Sequence, residues 1–367
     1  MPDAAIVADE EPIEEAAPAD IPLVEGIVVD GSRGQYRVQT EGGILLCSLR
    51  GRLRKELIYP VNQYMRQKVW IEKHKARDPL SVGNRVKVLP TGGNSGVIEE
   101  VTKEQNGSFT RGDSDKGNIT SVAGLDQAVL VFSARNPEPH LRMLDRFLVI
   151  AEAQALPAII CLNKVDLGLS AELEDRLEVY RNLGYRVLLT SADEGWGIGD
   201  LRTALGGHTS ALLGPSGVGK SSLLNTVQDG LAERVSAVSD ATNKGRHTTT
   251  GSRLIALEGP GGGYIADTAG IRALSLGGAA AGRLAWCFRE FRPYLGQCRL
   301  GDCQHIGEPE CALRAAVQRG ALDRERYESY RSLYKEGANE QGIRWQDTVS
   351  STNVNAEHRR AVRSGSG

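Results

Sequence analysis

No run of apolar residues in this 367-residue chain approaches the roughly 20 that a membrane-spanning helix requires, which excludes an integral helical membrane protein. The first 25 residues, MPDAAIVADEEPIEEAAPADIPLVE, hold eight acids and no basic residue, so the basic n-region of a signal peptide is missing. Cytoplasmic residence is therefore expected. In that compartment six cysteines are no disulfide framework, and four of them crowd between Cys287 and Cys311, which points to a metal. No repeat of solenoid length is present.

What is present is a chain long enough for two or three domains, 40% apolar. The acidic start cannot bury enough surface to order itself, and residues 1–22 read as a disordered tail. Without those eight acids, 38 acidic residues face 44 Lys and Arg, so the near-neutral total conceals a basic body. Between Arg50 and Lys87 there are eleven Lys or Arg against Glu56, Glu72 and Asp78, a distribution suited either to a phosphate backbone or to an ordinary solvated face.

Residues 23–112 alternate short β-rich pieces (GIVV, YRVQ, ILLC, KVWIE, RVKVL, GVIEEV) with turns, which suggests a small β-barrel, an OB-fold in first place. After the polar stretch RGDSDKGN (111–118), residues 113–283 alternate apolar strands with helical segments, expected at about Leu141–Gln154 and Ala171–Leu183. That is the rhythm of a mostly parallel α/β sheet with helices on both faces. Residues 284–336 accumulate Cys, His, Arg and Trp and read as a small domain; 337–367 form a polar tail.

HTSALLGPSGVGKSSLLN fits Gly214-x4-Gly219-Lys220-Ser221 after a strand and before a helix, the context that a phosphate-binding loop requires. Backbone N–H groups along Gly214, Pro215, Ser216, Gly217, Val218, Gly219, Lys220, Ser221 and Ser222 can wrap phosphates, aided by the helix dipole. Lys220 then serves the β- and γ-phosphates and Ser221 a Mg²⁺ ion. GYIADTAG ends a strand in Asp267-Thr268-Ala269-Gly270, where the Asp reaches Mg²⁺ through water and the Gly N–H meets the γ-phosphate. In AIICLNKVDLG, Asp166 can accept from guanine N1–H and its 2-amino group, neither of which adenine offers. Asn163 braces that loop, the Lys164 stem covers the base, and Ser191-Ala192 of TSAD supply a second base contact.

The loops occur in the order base, base, phosphate, magnesium, a circular permutation of the usual GTPase order. A permuted sheet can still hold each loop at the carboxyl end of its own strand. With CSLRGRLR (47–54), VGNRVKV (82–88) and GRHTTT (245–250), the chain over about residues 23–330 resembles the ribosome small-subunit-dependent GTPase family, RsgA, also called YjeQ or EngC. The resemblance implies an OB-fold, a permuted GTPase and a zinc domain. It also implies GTP hydrolysis stimulated by the small (30S) subunit, late in that subunit's assembly, with 16S rRNA, GTP and GDP as partners, no membrane, and a monomer.

Ala269 stands where the family prefers Pro, and Ile271 stands where small GTPases place a water-orienting Gln. The resemblance supports His247 for that duty, and Thr248 or Thr249, with Thr249 preferred, closes onto Mg²⁺ and the γ-phosphate. The missing Gln leaves open an RNA-binding module that holds GTP with little turnover. Cys298-x4-Cys303-x-His305-x5-Cys311 offers three thiolates and an imidazole, a closed set for one structural Zn²⁺, and agrees with the family's zinc loop. Cys287, Cys47 and Cys161 read as packing. RLAWCFREFRPY (283–294) can either touch RNA or pack as an amphipathic helix.

Overall fold

The structure is a computed structural model and describes residues 22–32, 34–53, 80–102, 107–111, 120–233, 253–259, 261–266 and 283–340. Most of the basic stretch lies outside these residues, as do His247, Thr249, Asp267 and Gly270 and both expected tails apart from a few residues at their inner ends.

β1 (Val24–Ser32), β2 (Gln35–Thr40), β3 (Gly43–Leu49), β4 (Arg85–Gly92) and β5 (Ser95–Val101) close into a barrel in the order β1-β2-β3-β5-β4. β4 returns antiparallel to β1, and β3 runs parallel to β5. Alternation fixes the register: in β2, Tyr36 and Val38 face inward while Gln35 and Arg37 face out. Val28, Tyr36, Val38, Cys47, Val86, Val88 and Ile98 fill the interior. This is the OB-like barrel expected.

A ribbon then joins β6 (Gly107–Arg111) antiparallel to β7 (Thr120–Leu125). It straddles the stretch that the sequence presents only as polar, because pairing across a gap leaves no local periodicity. Val82 bridges Val122 beside it, and Asp30 of β1 pairs with Arg253 at 3.2 Å, so the barrel abuts the second sheet.

That sheet has six strands in the order β10-β9-β8-β11-β13-β12: β8 (Gln127–Ser133), β9 (Ala158–Asn163), β10 (Arg186–Leu189), β11 (Thr209–Leu213), β12 (Leu254–Ala256) and β13 (Tyr264–Ala266). The pairs are parallel except for the edge strand β12. β8, β9 and β11 are buried throughout, as strands covered on both faces must be. Ala128, Leu130 and Phe132 meet α1 (Leu141–Ala153) and α2 (Ala171–Asn182), while Val129 and Val131 meet α3 (Ile198–Leu205) and α4 (Lys220–Val227). Ser170 starts α2 by accepting from Leu173 N at 3.2 Å, with Glu172 and Glu174 in the first turn. The chain runs from β8 outward through β9 to β10 and then returns to the other side of β8 with β11. The strand order reverses between β8 and β11, the place where such sheets open a crevice for ligands.

The C-terminal segment is mainly helical, with α5 (Ala312–Gln318) and α6 (Arg324–Glu340). Residues 284–287 and 289–294 form 3₁₀ turns rather than the amphipathic α-helix considered, Pro293 lying inside the second. Phe288 and Phe291 are buried and stacked with centroids 4.8 Å apart, edge-on to Tyr330. Leu284, Phe288, Phe291, Leu313, Tyr327 and Tyr330 belong to the same core as α1 and α2, so this segment packs as a further layer on that face of the sheet.

Candidate functional site

The loops at the carboxyl ends of β9, β10 and β11 converge through one buried side chain. Asn163, the last residue of β9, donates from Nδ2 to the carbonyl of Val218 at 3.0 Å. Its Oδ1 accepts from Ala192 N at 3.2 Å and from Thr190 Oγ1 at 3.3 Å. A single amide thus ties the loop 163–168 to the loop 190–192 and to the loop 214–219. Its neighbour Lys164 has a left-handed backbone, φ 61°, and donates Nζ to Gly217 O at 2.7 Å and to Asn136 O. The Lys164 stem is therefore fixed beside the phosphate-type loop by carbonyls from two other loops. Asp166 follows in a short 3₁₀ turn, half-buried, and its carboxylate takes no hydrogen bond from any described residue.

Ser191 is fully buried; its Oγ accepts from Glu194 N at 3.1 Å and its N–H donates to Trp196 O at 3.0 Å. Thr226 Oγ1 of α4 donates to Ala192 O at 3.3 Å. Ser191 and Ala192 are thus held by backbone geometry, which leaves their role to main-chain atoms.

Gly214 follows β11 with φ 151°, and a Cβ there would stand 2.0 Å from Val131 O. Gly219 has φ 91°, and its Cβ would meet Asn163 Nδ2 at 2.4 Å. Only glycine fits at either end of this loop. Lys220 opens α4 and directs Nζ to Gly214 O at 2.9 Å and Pro215 O at 2.6 Å, across the mouth of the loop. Ser221 and Ser222 are exposed in the first turn. This arrangement can surround an anion with N–H groups and an ammonium. Asp267, Gly270, Thr249 and His247 lie outside the described residues, so the magnesium and water side of the site has no geometry here.

Two contributors carry no sequence signal. The loop after β8 supplies Asn136 O to Lys164 and is closed by Ser133 Oγ donating to Pro137 O at 2.6 Å. Arg202 of α3 caps α4 through Thr226 O at 2.6 Å and Val227 O at 3.0 Å.

In the C-terminal segment, one donor atom each from Cys298, Cys303, His305 and Cys311 lies within 4.8 Å of the others, a set that could hold a metal ion. Cys298 and Cys311 Sγ are 3.9 Å apart, and His305 Nδ1 lies 3.3 and 3.5 Å from them. A tetrahedron with metal–sulfur bonds of about 2.3 Å and metal–nitrogen bonds of about 2.0 Å has edges of roughly 3.8 and 3.5 Å, so the residues fit Zn²⁺. Burial raises the thiol pKa of Cys303 and Cys311 and lowers that of His305. A cation is what would hold those thiols as thiolates. Cys47, Cys161 and Cys287 are buried apart from this cluster, and burial pushes each thiol up to about 11.

The 283–294 segment reaches toward the nucleotide domain. Glu152 of α1 accepts from Arg289 Nε and Arg292 at 2.6 Å each. Arg326, wholly buried, donates to Asp145 at 2.6 Å and to Glu290 at 2.7 Å.

With this geometry in view, the relatives decide the family. A curated protein of Gemmatimonas aurantiaca, "Small ribosomal subunit biogenesis GTPase RsgA", is 44% identical over 318 residues, spanning 85% of this chain and 96% of that protein. The chain belongs to the RsgA GTPase family. The family's sequence profile matches residues 102–277. The RsgA of Moorella thermoacetica is 38% identical over 313 residues, 85% of this chain and 97% of its own. Among solved structures, YjeQ from Thermotoga maritima superimposes with a TM-score of 0.65 at 33% identity, over 86% of this chain and 98% of that one. YloQ, described as a circularly permuted GTPase, gives 0.63 at 28% identity, over 88% and 98%. As an RsgA-family protein the chain is a GTPase, and its permuted loop order belongs to a fold already seen in these relatives.

Proposed function

We propose that this GTPase acts in biogenesis of the small ribosomal subunit, in the cytoplasm and as a monomer, binding 16S rRNA in its GTP state and leaving after hydrolysis. The names of its relatives support the pathway, and no described helix is long and apolar enough to cross a membrane. The observation that carries the nucleotide reading is the Asn163 side chain. It holds both base-type loops against the phosphate-type loop, while the Asp166 carboxylate has no donor among the described residues.

Asp166 accepts from guanine N1–H and the 2-amino group, the Lys164 stem covers the base, and the Ser191–Ala192 backbone borders it. N–H groups from Gly214 through Ser222 surround the phosphates, and Lys220 turns from its loop carbonyls to the β- and γ-oxygens. Mg²⁺, when bound with GTP, neutralises charge developing on the phosphate oxygens. Ser221, Thr249 and Asp267, the last through water, would hold it. Gly270 N–H meets the γ-phosphate and His247 orients the attacking water, both from sequence. One Zn²⁺ at Cys298, Cys303, His305 and Cys311 has a structural role.

The test is GTP turnover by the full chain with and without purified 30S subunits. Acceleration is expected, and His247→Ala should abolish most of it while nucleotide affinity stays unchanged. Turnover indifferent to 30S subunits would contradict the assignment.

A further inference from the structure

His305 occupies a left-handed backbone conformation, φ 61°, uncommon outside glycine though open to histidine, and its surroundings hold it there. Those surroundings come from one carboxylate and two phenols. Glu308 Oε1 accepts from Gln304 N at 2.8 Å, and Oε2 accepts from Ile306 N at 2.8 Å and from Gly307 N at 2.9 Å. The peptide groups on both sides of His305 are thereby fixed. From α6, Tyr330 Oη donates to Gln304 O at 2.5 Å and Tyr327 Oη to His305 O at 2.7 Å. Burial alone would raise the Glu308 pKa; the N–H groups of Gly307, Glu308, Gln304 and Ile306 outweigh it, and the group is held below the usual carboxylate range. Glu308 thus remains an anion at neutral pH.

We infer that Glu308 is a positioning residue for the metal centre: it folds the 304–307 loop around its carboxylate so that His305 Nδ1 points at the three sulfurs, with Tyr327 and Tyr330 seating that loop on α6. Glu308 touches no ligand donor itself. It acts on the backbone that aims one, as outer-shell partners of metal ligands do. Tyr327 adjoins Arg326, whose guanidinium is buried against Asp145 of α1. The loop that aims His305 is therefore anchored to the nucleotide domain through a single turn of helix.

This rests on the cluster's holding a metal, and the experiment separates the two ideas. Full-length protein is loaded with Zn²⁺ or Co²⁺, and metal release to excess chelator is followed, with the Co²⁺–thiolate absorption as a second readout. If the wild type binds neither ion, the metal reading itself fails. If it binds, Glu308→Ala should weaken affinity about 10- to 100-fold and hasten release. Glu308→Gln, which keeps one acceptor oxygen, should fall between Ala and wild type. The Co²⁺ spectrum should change while GDP affinity holds, because the hydrogen bonds of Glu308 involve only residues 304–314. Should Glu308→Ala fold only with metal present, release from the preloaded protein still gives the comparison. Wild-type release rates and spectrum in Glu308→Ala would overturn the inference.

Discussion

On one face of the six-stranded sheet, α3 and α4 meet Val129, Val131, Ile159 and Cys161 with Leu201, Leu205, Leu223 and Leu224. On the opposite face, α1 and α2 carry a second layer, and charge is buried between the layers. Arg326 is 0% exposed, Asp145 2% and Glu290 8%, with Tyr180 Oη donating to Asp145 at 2.8 Å. The aliphatic face needs only shape and volume to match, whereas the charged face needs each partner present. The difference shows how the segment with the Cys–His cluster is seated: it shares the core of the nucleotide domain, in one register set by paired ions.

The most damaging change to that contrast is Arg326→Met, which leaves Asp145 and Glu290 buried without their cation. A loss of about 3–5 kcal/mol in unfolding free energy is expected by denaturant titration. Replacing Asp145 and Glu290 by apolar residues as well should recover much of the loss, because the unpaired charges cause it. On the other face, Leu223→Ala should cost about 2–5 kcal/mol through its cavity. Metal release from the folded protein should then stay at the wild-type rate, and a faster rate would show that the two faces are not independent.

Asn163→Ala removes the amide shared by three loops and leaves Val218 O and Ala192 N without that partner. Guanine nucleotide affinity should fall about 10- to 100-fold by titration, with a smaller effect on melting. The mildest test is acidification. Burial pulls the Asp323 carboxyl upward, but hydrogen bonds from Arg176 and from Arg326 N–H outweigh it and hold its pKa below the ordinary 3.8. Its stabilising contribution is therefore complete above that value and is lost as pH falls through the lower, folded one. Asp323→Asn should flatten that part of the stability profile below about pH 4.

The loops after β9, β10 and β11 were legible as fixed residue types at fixed spacing, and the structure shows one physical reason: a Cβ at Gly214 would strike Val131 O. The strands β8, β9 and β11 were legible as apolar runs. Arg326 was not, since it lies in RERYESYR, a segment that reads as solvated, and Asp145 is 181 residues away in sequence. The β6–β7 ribbon and edge strand β12 were equally hidden, because pairing partners leave no local pattern. Glu308 stood in plain view within the cysteine cluster, but its role depends on three backbone N–H groups that only a folded loop brings together.

The most direct measurement is nucleotide selectivity at Asp166. Titration of GDP, ADP and xanthosine diphosphate into the wild type should show a strong preference for GDP. In Asp166→Asn the side chain can present an NH₂ to the xanthine C2 carbonyl and loses the acceptors that guanine needs. GDP affinity should fall by at least about 100-fold while xanthosine diphosphate gains. Unchanged GDP binding by Asp166→Asn, or equal binding of ADP and GDP by the wild type, would contradict the account of a guanine site assembled from permuted loops.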